Sequence, residues 1–368
     1  MRRALLAVLA AGALALIGAV IWFVVPRSPA EARFAHEECR RLPLTDARTG
    51  AVLAGIEDIA PYASDLFLSV QDRAAAEAAA VEGRTPPQGG LYRLPLADLD
   101  RPGPLELVAQ TPAMATPLHP HGIHASLAKL VAINRRYGPD GAEGRELLVF
   151  AIREDRLKPL RRLPNSALCA ANDLLLTGRT VRLTLDRAAC PGIDPWEQAR
   201  GGATGRLAMM GASDSASGGL RVMADALTYP NGVAMIDGAE GRRLLVAETR
   251  GDALVVFGDP LRPMQIGAPL GRLTLPGGPD NLTVAPDGRA VAALHPSLIR
   301  LALYRFGWAG HAPSRLVAVD DQGATEWLFD DPPGALFSGA SVGVLTESGH
   351  LVAGSVRDAG LLVCGPAR

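Results

Sequence analysis

Neither sign of charge predominates in this sequence. Lys and Arg total 37 against 38 for Asp and Glu, a formal net charge of −1 at pH 7. Without a basic surplus the chain lacks the phosphate-neutralising surface that nucleic acids require, and there is no acidic tail, so no nucleic-acid partner is expected. Also missing is any Ser-, Gly- or charge-rich linker within residues 40–368, so that part reads as one domain. Cysteine is scarce, at four residues. What the chain has instead is 40 Gly and 29 Pro beside 48% hydrophobic residues. That composition disfavours a helical protein and disorder alike, and suits short strands joined by tight turns around a sizeable core.

One long apolar run is present. Ala4 to Val25 is uncharged and follows Arg2 and Arg3. At about 1.5 Å per residue it can cross a hydrocarbon core of about 30 Å, and it is long for the h-region of a cleaved signal peptide. The run is therefore expected to be a signal anchor within residues 1–30, with residues 31–368 on the extracytoplasmic side. The alternative is cleavage at Ala30-Glu31-Ala32, which would release the protein. In that oxidising compartment disulfides are allowed. Cys39 and Cys364 stand at the two ends of the outer part, and Cys169 with Cys190 form a second candidate pair.

Internal repeats organise the remainder. Six segments begin with a small or polar group, continue into a short β-rich strand, turn, and enter a second strand. They start near Gly55, His121, Asn172, Asn231, Asp280 and Ser341. Turns such as Pro286-Asp287-Gly288 separate the strands. This pattern predicts an all-β, six-bladed β-propeller with four-stranded blades. Within the insert Gln71–Gly90 the stretch Arg73–Glu82 predicts a short helix, and Pro191–Ser217 reads as a lid or flexible loop.

In a propeller the innermost strands run beside one axis, so their starts converge. The convergent positions here are Glu57, Asp58, His121, Asn172, Asp173, Asn231, Asp280 and Asn281. Carboxylates and amides without thiolates are hard-cation ligands, and calcium takes six to eight oxygens. Asn231-Gly232 by itself reads as a turn, but five polar starts in one ring would bury several charges without a counterion.

The ordered segments Gly55-Ile56-Glu57-Asp58, Pro120-His121-Gly122-Ile123, Asn172-Asp173, Asn231-Gly232-Val233, Asp280-Asn281-Leu282-Thr283-Val284, His295-Pro296 and Leu351–Cys364 resemble the paraoxonase/arylesterase family, related to gluconolactonase-like and strictosidine-synthase-like propellers. The resemblance implies two calcium ions. Glu57, Asn172, Asn231, Asp280 and Asn281 would hold the catalytic one, and Asp58, Asp173 and the Ile123 carbonyl a structural one. It also implies a retained N-terminal membrane helix, a Cys39–Cys364 disulfide, and hydrolysis of a small ester or lactone with His121 as general base. One position departs from the pattern: Arg135 follows Asn134 where the family carries a second histidine, and a guanidinium cannot accept a proton. Arg135 is thus a candidate contact for an anionic group of the substrate. Sugar-lactone hydrolysis, or a calcium-stabilised propeller that binds without turnover, are the competing readings.

Overall fold

The computed structural model describes residues 30–366 except 112–115, 138–142, 155, 189–201, 213–218, 260 and 262–266. The expected Ala4–Val25 anchor and Cys190 lie outside the described residues. Among the described residues no helix is long and apolar enough to cross a membrane.

Six antiparallel sheets succeed one another along the chain. Their inner strands are β1 (Ile56–Tyr62), β2 (Pro120–Ser126), β3 (Ala171–Thr177), β4 (Pro230–Gly238), β5 (Gly278–Val284) and β6 (Ala340–Leu345). Five of the sheets have four strands. The first has three, and Ala109 adds only a single bridge to Tyr92 at its outer edge. The strand after Leu94 is drawn away because Leu105–Leu107 pairs in parallel with Leu44–Asp46. The fold is an all-β six-bladed propeller, as the repeats predict.

The last blade is completed from the other end of the chain. Cys39–Leu42 pairs antiparallel with Leu361–Cys364, outermost in the sheet that begins with β6. Cys39 faces Cys364 in that register, and the two form a disulfide across a sequence separation of 325 residues. Cys169 is disulfide-bonded as well.

Six apolar clusters fill the six gaps between neighbouring blades. Phe67, Ile123 and Phe150 join the first blade to the second, for example, and Ile56, Leu68, Val342 and Val352 join the sixth to the first. Each blade is covered on both faces, and some middle strands are buried at every residue, as in Asp65–Val70 and Ala253–Phe257. Strands buried on two faces lose the apolar–polar alternation of a half-exposed sheet. Each fully buried Phe or Leu contributes about 1.5–3 kcal/mol.

Among the described residues two α-helices interrupt this plan. α1 (Arg73–Val81) follows the second strand of the first blade and is capped by the Asp72 carboxylate, which accepts from the Ala75 N–H at 2.9 Å. α2 (Leu298–Arg305) follows the second strand of the fifth blade, with the Ser297 hydroxyl accepting from the Arg300 N–H at 3.3 Å. The first occupies the predicted helical stretch; the second has no counterpart in the sequence reading. The expected loop Pro191–Ser217 also needs correction. Gly205–Gly211 within it is a strand, third in its blade and paired with Thr180–Leu185.

Candidate functional site

All six inner strands break register at the same level. The irregularities fall between Ile56 and Asp58, Pro120 and Ile123, Ala171 and Leu174, Pro230 and Val233, Pro279 and Leu282, and Ala340 and Val342. A regular strand sends successive side chains to opposite faces, whereas a bulge re-aims one of them. The residues inside these bulges are Glu57, His121-Gly122, Asn172-Asp173, Asn231-Gly232, Asp280-Asn281 and Ser341, which are the starts identified from sequence. Three bulges follow a proline at or near the strand's beginning, where a missing N–H costs the ladder little. Gly122 and Gly232 have a packing role. A Cβ on Gly122 would lie 2.6 Å from the Asn172 carbonyl oxygen, and one on Gly232 would lie 2.5 Å from that of Asp280. Asn231-Gly232 is therefore a close approach of two inner strands and not a hairpin turn.

The bulges of the first five inner strands feed two environments along the axis. One is a mouth cavity of about 460 Å³ lined by Glu57, His121, Arg135, Asn172, Asn231, Asp280 and His295, with α1 and α2 at its rim. The other, of about 420 Å³ at the opposite end, is lined by Asp58, Ile123, His124, Asp173 and apolar strand residues.

At the mouth the Glu57 carboxylate bridges two partners, one of them cationic. One oxygen is ion-paired with Arg73 of α1, and Oε2 accepts from His121 Nδ1 at 2.8 Å. Burial alone would raise the Glu57 carboxyl, but Arg73, His121 and Arg135 together hold it well below its ordinary value. With its Nδ1 proton directed at Glu57, the His121 imidazole presents the lone pair of Nε2, which accepts from Arg135 Nη2 at 2.9 Å. Asn172 Oδ1 lies 2.9 Å from the same nitrogen. Burial, then the Arg135 charge, pushes His121 down to about 3 against the pull of Glu57, so the ring is neutral near pH 7.

Across the cavity stands a second imidazole–carboxylate pair. His295 Nε2 donates to Asp280 Oδ2 at 2.7 Å, and its buried Nδ1 has no hydrogen-bond partner among the described residues. The other Asp280 oxygen accepts from the Asn231 amide, whose own Oδ1 is buried without a partner among the described residues. In the sequence His295 stands out only through the His295-Pro296 segment, with no role attached; it reaches the mouth from the strand after the inner one, opposite Gly278.

The remaining candidates are placed differently. Asn281 donates its amide to the Glu57 backbone carbonyl at 2.9 Å, where Ser341 also donates at 2.8 Å, so these two tie the inner strands together. Asp58 accepts from the Ile59 and Ile123 N–H groups at 2.8 and 2.7 Å, and Asp173 from Leu174 and Val233 at 2.7 and 2.9 Å. Ile123 thus meets Asp58 through its N–H. Burial, despite those backbone donors, raises Asp58 to about 7, with Glu57 and Asp280 adding to the effect. Asp173 is raised well above its ordinary value by burial and by Asp58.

Among the described residues no three carboxylate, imidazole or thiol groups are placed to hold a metal together. A cation at the mouth would therefore draw on amide oxygens as well. The donor chemistry fits that requirement: Glu57 and Asp280 converge with Asn172 and the unpartnered Asn231 Oδ1, an oxygen-only set suited to a hard cation.

No family model and no curated protein matches the sequence. Among solved structures the chain is similar to a gluconolactonase from Xanthomonas campestris (17% identity, 92% of this chain and 98% of that one, TM-score 0.45). It is also similar to the calcium-binding protein regucalcin from Agrobacterium tumefaciens (14%, 91% and 98%, 0.46). A third similar structure is a PQQ-bound aldose sugar dehydrogenase from Streptomyces coelicolor (12%, 92% and 99%, 0.47). The six-bladed architecture stands on the sheet topology of this chain itself.

Proposed function

We propose that this propeller is a calcium-dependent hydrolase of small esters or lactones, of the arylesterase or lactonase type, working at the mouth cavity. The observation that carries the reading is the pair of carboxylate-oriented imidazoles, His121–Glu57 and His295–Asp280, opening on one cavity. A carboxylate on one ring nitrogen fixes the tautomer and leaves the other nitrogen to move a proton. His121 is the proton acceptor for the attacking water, kept neutral by burial and by Arg135. Water must enter between His121 Nε2 and Arg135 Nη2, and Arg135 then stands beside the negative charge that develops on the carbonyl oxygen. His295 is the second group able to exchange a proton.

Glu57, Asn172, Asn231 and Asp280 would hold calcium, which when bound supplies Lewis-acid polarisation of the substrate carbonyl. Asp58, raised by burial with Glu57 and Asp280, and Asp173, raised by burial with Asp58, are the acidic residues of a second, structural cation position. The arylesterase-like assignment rests on the ordered motifs, and Ala4–Val25 would tether the propeller to the outer face of a membrane.

Arg135 on the His121 lone pair also favours a second reading, a calcium-stabilised propeller that binds its ligand without turnover. Purified protein assayed on aromatic esters and a panel of lactones, with calcium and with chelator, separates the two. Calcium-dependent turnover supports the hydrolase. Calcium-dependent thermal stability without turnover of any substrate supports the binder.

A further inference from the structure

The cavity at the far end of the channel from the mouth has a character of its own. Its wall is apolar, built from Leu174, Leu176, Val233 and Leu282 of the third, fourth and fifth inner strands. Its rim is apolar too, although it meets solvent: Leu127, Leu261 and Val284 are 68%, 48% and 39% exposed. The Arg242 guanidinium, also on the lining, is paired with Asp237 at 3.2 Å. Exposed apolar side chains gathered around a concavity mark a place that receives apolar surface. Leu127 stands there at a cost. With Ala128 it makes the two-residue hairpin connection that follows β2, and the two have φ 50° and 57°. Such turns favour Asn-Gly, because a Cβ at positive φ crowds the backbone. The turn is held by the Ala128 N–H, which donates to the Tyr62 hydroxyl at 3.1 Å, but that bond asks nothing of the Leu127 side chain. One polar group in the cavity is also unused. His124 lines it from β2, and its buried Nδ1 has no hydrogen-bond partner among the described residues. Asp58 and Asp173, in contrast, are each met by two backbone N–H groups.

We propose that this far cavity is a second binding site, for an uncharged and largely apolar molecule carrying one hydroxyl, which hydrogen-bonds His124 while the apolar body lies against the leucine wall. The size fits: an apolar cavity of about 150 Å³ admits one benzene ring, and this one, of about 420 Å³, has room for a fused-ring compound. The head group follows from the imidazole. A hydroxyl both donates and accepts, so it satisfies His124 in either tautomer. A carboxylate head would share the cavity with the Asp58 and Asp173 carboxylates and be repelled. The site is at the other end of the channel from the Glu57–His121 pair and does not depend on any turnover there.

The test is calorimetric titration of the full chain with naphthol, naphthalene and naphthoate, repeated on His124→Leu, Val284→Trp, Leu127→Asn and, at the mouth, Phe306→Ala. Naphthol should bind tightest of the three. His124→Leu should weaken naphthol by about three- to tenfold, the worth of one hydrogen bond, without weakening naphthalene. Val284→Trp, which crowds the rim, should weaken both neutral probes. Leu127→Asn should raise Tm by relieving the turn and yet weaken both, a split that a purely structural leucine would not give. Phe306→Ala, on the lining of the other cavity, should match wild type. Should His124→Leu fail to fold, Val284→Trp and Leu127→Asn decide. Naphthol binding that is indifferent to the three far-end substitutions, or that is lost in Phe306→Ala, overturns the proposal. Naphthoate binding tighter than naphthol does so as well.

Discussion

Replacing Cys39 and Cys364 together by serine should destabilise the propeller as much as the most damaging single apolar truncations in its core. The disulfide closes a loop of 325 residues, and chain-entropy arguments assign such a cross-link about 6 kcal/mol at 25 °C as an upper value. The bridge joins directly paired residues of two native strands, so removing it leaves the pairing of Cys39–Leu42 with Leu361–Cys364 available. Most of the cost therefore falls on the unfolded chain, and the loss should be about 3–6 kcal/mol. An unfolding entropy near 2.1 cal/mol/K per residue over the blades translates that into a fall in Tm of about 4–9 °C. Circular-dichroism melts and guanidinium titrations of the double variant measure it, with the second disulfide left intact because no reductant is used. A loss below about 1 kcal/mol would refute the argument, since the ring would then be held by strand pairing and interblade packing alone.

Other expectations follow from the same structure. Burial pushes His124 down to about 4, below the 6.5 of an unfolded histidine, so the native state refuses a proton that the unfolded chain accepts. This depressed pKa costs nothing above pH 6.5 and destabilises progressively as pH falls from 6.5 to about 4. His124→Gln should therefore gain on wild type over that window, by about 3 kcal/mol at its acid end, in stability measured at each pH. Asn231→Ala removes the unpartnered amide oxygen at the mouth, and calorimetry should show weaker calcium binding with the propeller still folded. At a calcium concentration of about 100 Kd the wild-type chain should gain about 2.7 kcal/mol of stability, and the variant less; an equal gain in both would remove Asn231 from the donor set.

Much of the fold was legible because each blade repeats one grammar. The polar starts Glu57-Asp58, Asn172-Asp173 and Asp280-Asn281 stand out against strands that are otherwise apolar, and they mark the level at which every inner strand bulges. That the marks were bulges, and not turns, was not legible. Asn231-Gly232 has the composition of a hairpin turn, and only the approach of the Asp280 backbone shows why glycine is needed there. The ring closure was expected from the resemblance and is present as Cys39–Cys364. His295 and Arg305 were missed for a common reason: each joins the mouth from outside an inner strand, one a hairpin away and one from a helix inserted in the fifth blade. Arg73 sat within a predicted helix, yet its ion pair with Glu57 depends on how that helix lies over the axis. The resemblance assigns Asn281 to the catalytic calcium, whereas its amide turns to the Glu57 carbonyl.

The measurement that bears most directly on the account is the kcat and calcium affinity of His121→Gln beside wild type, on an aromatic ester and a δ-lactone at neutral pH. A neutral, Glu57-oriented imidazole acting as general base predicts a fall in kcat of about 10²–10⁴-fold. Calcium should still bind, because His121 is not itself one of the oxygen donors, although it contacts Glu57 and Asn172. Turnover that survives His121→Gln at the wild-type rate would contradict the central claim and move the chemistry away from the Glu57–His121 pair.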